Sequence, residues 1–315
     1  MRQMRLRAID LVIIALNLFF ALVHLIFAGV RAGGPIAFVF LASNGVVFSF
    51  ALADGRGLLR RRTPLHFLRV FYAQAFYLLY FMSVIPLSQQ IWGDASFDAV
   101  FHQAEEALFG TQLAVVLPER FGHLRPLNEL FYFAYFSFYP LVCALGWVLY
   151  LKRRYEDADQ ALFLLTASYA VLFVWYAFYP VHGPKYFIPE LHARWYSDLD
   201  GYLFAGIMRA IFSDANLAGA AVPSSHVAIS SLAVVLYARY LPRTIPWLAP
   251  LLLLIWISTV YLYAHYAVDV LLGLAVMPLL LWIAGRLHRR LEGRVDADHS
   301  APEEDAVDAG PDWAG

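Results

Sequence analysis

Apolar residues run along this chain in long blocks, broken by short polar or Gly- and Pro-containing stretches. Eight blocks approach the roughly 20 residues that a helix needs to cross a bilayer. They cover 9–30, 35–53, 66–86, 128–151, 160–181, 225–241, 245–264 and 267–287. The last two adjoin with no polar loop between them. A single helix over 245–287 would be roughly 64 Å long at 1.5 Å per residue, against a bilayer core of roughly 30 Å. That run must fold back, and its interior ionisable residues, His265 and Asp269, mark the turn. The pattern predicts an all-α polytopic membrane protein of about eight transmembrane helices.

Between the spans, 87–127 alternates apolar and polar residues (FDAVFHQAEEALFG) at a spacing that suits one or two helices lying in the membrane interface. A second long connection, 182–224, joins the fifth and sixth spans. The chain therefore divides into N-terminal transmembrane helices (1–86), an interfacial segment (87–127), a transmembrane core (128–291) and a tail (292–315). The tail is acidic and contains Pro and Gly, which reads as disorder. The apolar stretch after MRQMRLR exceeds the roughly 7–15 residues of a cleaved signal, so a retained first span is expected.

Composition sharpens this picture. Hydrophobic residues make up 61% and charged residues 15%, whereas soluble domains are about one quarter charged. Net charge is −1, which gives no case for nucleic acid. The one cysteine, Cys143, lies in an apolar run, has no pairing partner in the chain and reads as a packing residue. The basic residues set the orientation. With the N-terminus in the cytoplasm, 17 of the 23 Lys and Arg fall on cytoplasmic segments. Only Arg31, Arg120, Arg125, Lys185, Arg194 and Arg209 fall on the other side. The positive-inside rule favours this arrangement, with both termini cytoplasmic and both 87–127 and 182–224 extracytoplasmic.

Three short sequences then converge on the extracytoplasmic face: HGPKYF with Lys185, PSSHVA with Ser224, Ser225 and His226, and STVYLYAHYAVD with His265 and Asp269. Ser224 and Ser225 suit an N-cap after Pro223. The first amides of the sixth helix can then seat a phosphate, and Lys185 can add a full positive charge. His226 is placed to protonate a leaving oxygen. His265 and Asp269 are four apart, on one helical face or across its first turn. A carboxylate on one imidazole nitrogen fixes the tautomer and makes the other a better nucleophile. Each motif has an ordinary alternative: a cap, an interfacial histidine, a pairing of the last two helices. Ionisable groups within an apolar run are costly unless paired and mark functional sites by default, and the three motifs coincide on one face. His182, His192 and Arg194 lie on the same side as supporting or headgroup contacts.

At these residues the chain resembles the type 2 phosphatidic acid phosphatase superfamily, whose motifs are K-x6-RP, PSGH and SR-x5-H-x3-D. The second reads PSSH here, Pro223 to His226. The third reads S-T-x5-H-x3-D, with Ser258, Thr259, His265 and Asp269 in the matching positions. The resemblance covers roughly 130–287 and implies a six-helix core, a phosphohistidine on His265 and an acid at His226. Thr259 replaces the third motif's Arg, and Glu190, Leu191 and His192 occupy the region of the first motif's RP. Both departures look like the inositol phosphorylceramide synthase and inositolphosphotransferase branch.

The expected function is therefore phosphate transfer or hydrolysis on a lipid-linked phosphate, with membrane lipids as its surroundings. No carboxylate cluster suited to Mg²⁺ lies on this face, so no metal or cofactor is expected. A transporter using His265 and Asp269 as a proton relay is the alternative; inverted repeats or broken helices would favour it. An intramembrane serine protease lacks its GxSG-like serine within a span. The basic-residue split is checked by cysteine labelling: a cysteine introduced as His192→Cys reacts with an impermeant thiol reagent added outside intact cells. Labelling only after permeabilisation would reverse the topology.

Overall fold

The computed structural model describes residues 4–212 and 219–300, and no strand occurs among them. The protein is an all-α integral membrane protein. Its helices are α1 (Ala8–Gly55), α2 (Pro64–Trp92), α3 (Asp98–Phe109), α4 (Leu113–Phe121), α5 (Arg125–Leu151), α6 (Tyr155–Phe178), α7 (Pro184–Phe187), α8 (Pro189–Ser197), α9 (Leu203–Phe212), α10 (Ser225–Tyr240), α11 (Ile245–Tyr261) and α12 (Ala267–Ser300).

α1 is two spans rather than one. Gly29 adopts φ 68° and breaks it into Ala8–Gly29 and Ala32–Gly55. The halves fold back on each other, as the bond from Asn17 Nδ2 to Asn44 Oδ1 (2.8 Å) shows. Seven segments among the described residues are long and apolar enough to cross a membrane. The remaining expected span, α10, has 16 residues and is roughly 24 Å long. Its sequence carries His226, Ser230, Ser231 and Arg239, so it is both shorter and more polar than the rest. The fold-back in 245–287 falls at 262–266, between α11 and α12. The segment 87–127 holds two helices, α3 and α4. α12 runs on to Ser300, past the end of the eighth apolar block, with His288 Nδ1 paired to Glu292 (3.1 Å) on the way. The rest of the tail, 301–315, lies outside the described residues.

The bundle centres on α5, α6, α10, α11 and α12; α2 packs along α6, and α1 along α2 and α6. Large apolar side chains such as Phe38 (70% exposed) and Trp247 (81%) face outward, where lipid replaces water. The far end of the bundle from His265 is tied by a buried ionic cluster. Arg69, 2% exposed, donates to both carboxylate oxygens of Asp10 (2.7 and 2.6 Å). Tyr72 Oη donates to Asp10 (2.8 Å), and Arg7 reaches Asp159 on α6 (2.8 Å).

Removing one member of such a buried pair leaves an uncompensated charge and costs about 3–5 kcal/mol. Arg69→Ala is therefore expected to lower the unfolding temperature clearly. Asp10→Asn combined with Arg69→Met should recover part of the loss. Heating with a thiol-reactive dye reads this directly through Cys143. Equal melting of Arg69→Ala and wild type would show that the cluster carries no stability.

Candidate active site

The three motifs meet because their backbones are bonded to one another. Ser224 caps α10, accepting from Val227 N (3.4 Å). Tyr176 Oη on α6 donates to Pro223 O (2.5 Å), which fixes the approach to the cap. In the turn before α12, Ala264 N and His265 N both donate to Thr259 O (3.1 and 3.0 Å). Lys185 N donates to Tyr263 O (2.8 Å), tying the first motif to the third. Ser224 N approaches Asp269 O (3.4 Å), tying the second to the third.

The imidazoles of His226 and His265 lie with ring centroids 6.0 Å apart and planes inclined at 59°. His265 Nδ1 is 2.9 Å from Ala221 O and 3.5 Å from Asp269 Oδ2. A carbonyl oxygen can only accept, so Nδ1 carries the proton and Nε2 keeps its lone pair. The ring's orientation thus comes first from a backbone carbonyl, with the carboxylate a longer neighbour. Asp269 Oδ2 accepts from Tyr266 N (2.9 Å), while Oδ1 has no partner among the described residues. Burial pushes the His265 imidazole down to about 4, so the ring is neutral at physiological pH. His226 sits between Phe138 (4.1 Å) and Tyr135 (4.3 Å), and neither of its nitrogens has a partner among the described residues. Its polarity is left for whatever enters beside His265.

Lys185 is 6% exposed, with Nζ 3.4 Å from the ring centroid of Trp195 and 5.5–5.7 Å from those of Tyr186, Tyr196 and Phe212. Burial pushes its ammonium down to about 8, while the ring faces favour the charged form. Its charge is held by aromatic faces rather than by a carboxylate, so it stays free to meet an anion.

Lys185, Ser225, His226 and His265 line one cavity of about 550 Å³. Ser224 and Asp269 do not line it. The hydroxyl of Ser224 is committed to the cap, and Asp269 stands behind His265. Thr259 Oγ1 donates to Trp256 O (2.7 Å), within its own helix. His182 lines the cavity; His192 is exposed, with its ring tilted against Tyr186 and edge-on to Tyr196. Arg194 is bound to Glu119 (2.9 Å) and Asp198 (2.8 Å), away from the cavity.

Two residues that the sequence reading passed over hold the site together. Asp98 and Glu105, both fully buried on α3, accept backbone amides from the site loops. Asp98 takes His182 N (2.7 Å), Gly183 N (2.8 Å) and Tyr266 Oη (3.1 Å). Glu105 takes Leu113 N (2.8 Å) and Ala267 N (2.5 Å), capping α4 and α12. Their signal was present: two carboxylates seven apart flank Phe101 on the apolar face of an interfacial helix, where an unpaired charge is expensive. Gly183 is also required. Its φ is 84°, and a Cβ there would lie 2.5 Å from Ala264 O.

A helical membrane bundle with two facing histidines and a caged lysine around one cavity is the class of protein that fold and site define. The sequence model of the PAP2 superfamily matches residues 101–283. The chain belongs to this superfamily, the type 2 phosphatidic acid phosphatases. No curated protein and no solved structure matches it. Membership supports a phosphatase-type activity on a lipid phosphate.

The caged lysine has a pH signature. Below about pH 8 Lys185 is charged, and above it the charge is lost. Sulfate keeps one charge state across this range, so its competitive inhibition constant reads the lysine. That constant should be level near neutrality and rise about tenfold per unit above pH 8. Lys185→Arg should remove the rise. A constant that stays level to alkaline pH would place the ammonium away from the anion.

Proposed function

We propose that this chain is a membrane phosphotransferase or phosphatase acting on a lipid-linked phosphate through a phosphohistidine intermediate. The observation that carries the reading is the 6.0 Å approach of His226 and His265 at the polar end of a cavity that Lys185 also lines. His265 Nε2 attacks phosphorus, the bond from phosphorus to the lipid oxygen breaks, and protonated His226 gives its proton to that oxygen. In the second half-reaction, water or a lipid hydroxyl attacks the phosphohistidine and the P–N bond breaks. His226 takes the acceptor's proton. Ala221 O and, at longer range, Asp269 hold the Nδ1 proton as positive charge develops on the ring. Lys185 and the first amides of α10, near Ser224 and Ser225, carry the phosphate charge.

PSSH in place of PSGH, and Thr259 in place of Arg, support placing the chain with inositolphosphotransferase-like members. With no arginine at 259, Lys185 is the one Lys or Arg lining the cavity among the described residues. The split of basic residues supports an extracytoplasmic site with both termini in the cytoplasm. Family membership favours phosphate chemistry over the proton-relay transporter.

Single-turnover kinetics with capture of acid-labile phosphate on the protein test this mechanism. His265→Ala should abolish both the intermediate and turnover. General acid catalysis is worth roughly 10²–10⁴-fold and matters most for poor leaving groups. His226→Ala should therefore lose about that factor on a lipid alkoxide and much less on p-nitrophenyl phosphate. Asp269→Asn should lower the rate with little change in binding. Phosphate trapped on the His265→Ala protein, or equal losses for His226→Ala on both substrates, would overturn the assigned roles.

A further inference from the structure

We propose that one hydrocarbon chain of the phosphate-bearing lipid lies in the apolar arm of the cavity between α2 and α5, with α2 as the wall that selects it. This rests on the reading of the substrate as a lipid-linked phosphate. Lys185, Ser225, His226 and His265 lie at one end of the cavity, whose lining is mostly apolar and aromatic. From there it descends between Leu78 and Met82 on α2 and Tyr139 and Cys143 on α5. Tyr135, whose ring lies against His226, and Cys143 are eight residues apart on α5. The arm therefore runs roughly 12 Å below the histidines at 1.5 Å per residue.

The arm has a floor and an open side. At the floor, Gln74 Nε2 reaches Cys143 O (3.5 Å) and Trp147 Nε1 donates to Gln74 Oε1 (3.0 Å), so the amide's polarity is spent within the protein. Below the floor the helices close: Phe67 and Phe71 pack on Trp147 and Tyr150, and a Cβ at Gly146 would lie 3.0 Å from Phe71. Above it they leave the crevice. Tyr77, Tyr139 and Tyr169 line this part of the cavity, and Tyr77 Oη is bonded to Thr166 Oγ1 (2.7 Å). On the open side, Leu78 is 66% exposed, Met82 50% and Tyr139 39%. These positions lie on membrane-spanning helices, so the side opens to lipid and not to water. A chain can enter sideways from the bilayer while its phosphate stays at the histidines. A mostly apolar, laterally open arm continuous with a cationic end fits a lipid tail. α2 precedes the residues matched by the family, so this wall is supplied from outside the matched region.

The test uses a decyl phosphate carrying a terminal diazirine, photolysed in nanodiscs with the full-length His265→Ala protein, so that no turnover is needed. Adducts should map to 74–82 and 139–147 and be competed away by unlabelled decyl phosphate. Adducts on α11 and α12 instead, or adducts that do not compete, would overturn the proposal. In the active protein, Leu78→Trp and Cys143→Trp narrow the arm. Each should lower turnover of decyl phosphate relative to that of p-nitrophenyl phosphate by about tenfold or more. A ratio unchanged in both variants would also overturn it. If the wild type turns over neither ester, the enzymatic reading fails, while the cross-link still reports on the arm. If p-nitrophenyl phosphate turns over and the cross-links fall elsewhere, only the arm is refuted.

Discussion

Backbone amides at the site end of the bundle need acceptors, and two carboxylates on one short helix supply them. Asp98 binds the amides of His182 and Gly183, and Glu105 binds those of Leu113 and Ala267. Every loop that carries a site residue is held by one of these or by a neighbour it holds. Gly183, its amide fixed by Asp98, lies against Ala264 O where no Cβ would fit. Lys185 follows two residues later, bonded through its own amide to Tyr263 O. α12 starts where it does because Glu105 caps Ala267, and that start aims Asp269 at His265. An unpaired amide in this buried setting costs free energy comparable to a lost hydrogen bond. Taking α3 away would therefore loosen both sides of the site at once.

The polar groups inside this site fall into two kinds. Some are spent on structure: the hydroxyl of Ser224 on its cap, that of Thr259 on its own helix, and the Nδ1 proton of His265 on Ala221 O. Others are buried among aromatic faces with no hydrogen bond from the described protein: both nitrogens of His226 and the ammonium of Lys185 over Trp195. Aromatic faces tolerate a cation without neutralising it. A carboxylate beside Lys185 would compete with a phosphate for the same charge. His226 and Lys185, the groups left without hydrogen bonds among aromatic rings, both line the cavity.

The lipid-facing side follows a different rule. The outer surfaces of α1, α2 and α11 carry large exposed apolar groups such as Phe38 and Trp247. Their inner faces carry paired polar groups at several depths: Arg69 with Asp10, Asn17 with Asn44, and His24 with Ser83 (2.8 Å). Each pair joins one of the first helices to another. With no hydrophobic difference between lipid and helix, such bonds and close packing supply much of the specificity of association.

The sequence alone determined the spans, because burying a backbone in lipid demands continuous helices of bilayer length, and apolar blocks record that demand directly. It also placed Lys185, Ser225, His226 and His265 at one end of the bundle, since helix ends follow from span lengths and the turn in 245–287 had to fall near His265. The separation of the first two spans near residue 30, the fold-back close to His265 and helices within 87–127 were readable in the same way. The tertiary structure decided what span lengths leave open. It turned His265 Nδ1 to Ala221 O, 44 residues away, and kept Asp269 at 3.5 Å. It withdrew Asp269 from the cavity, although Asp269 belongs to the third motif. It made Asp98 and Glu105 essential partners of loops 84 to 162 residues further on. Helical periodicity reports which face of a helix is apolar, but a hydrogen bond between distant segments depends on where the whole chain brings them. That placement has no period to read.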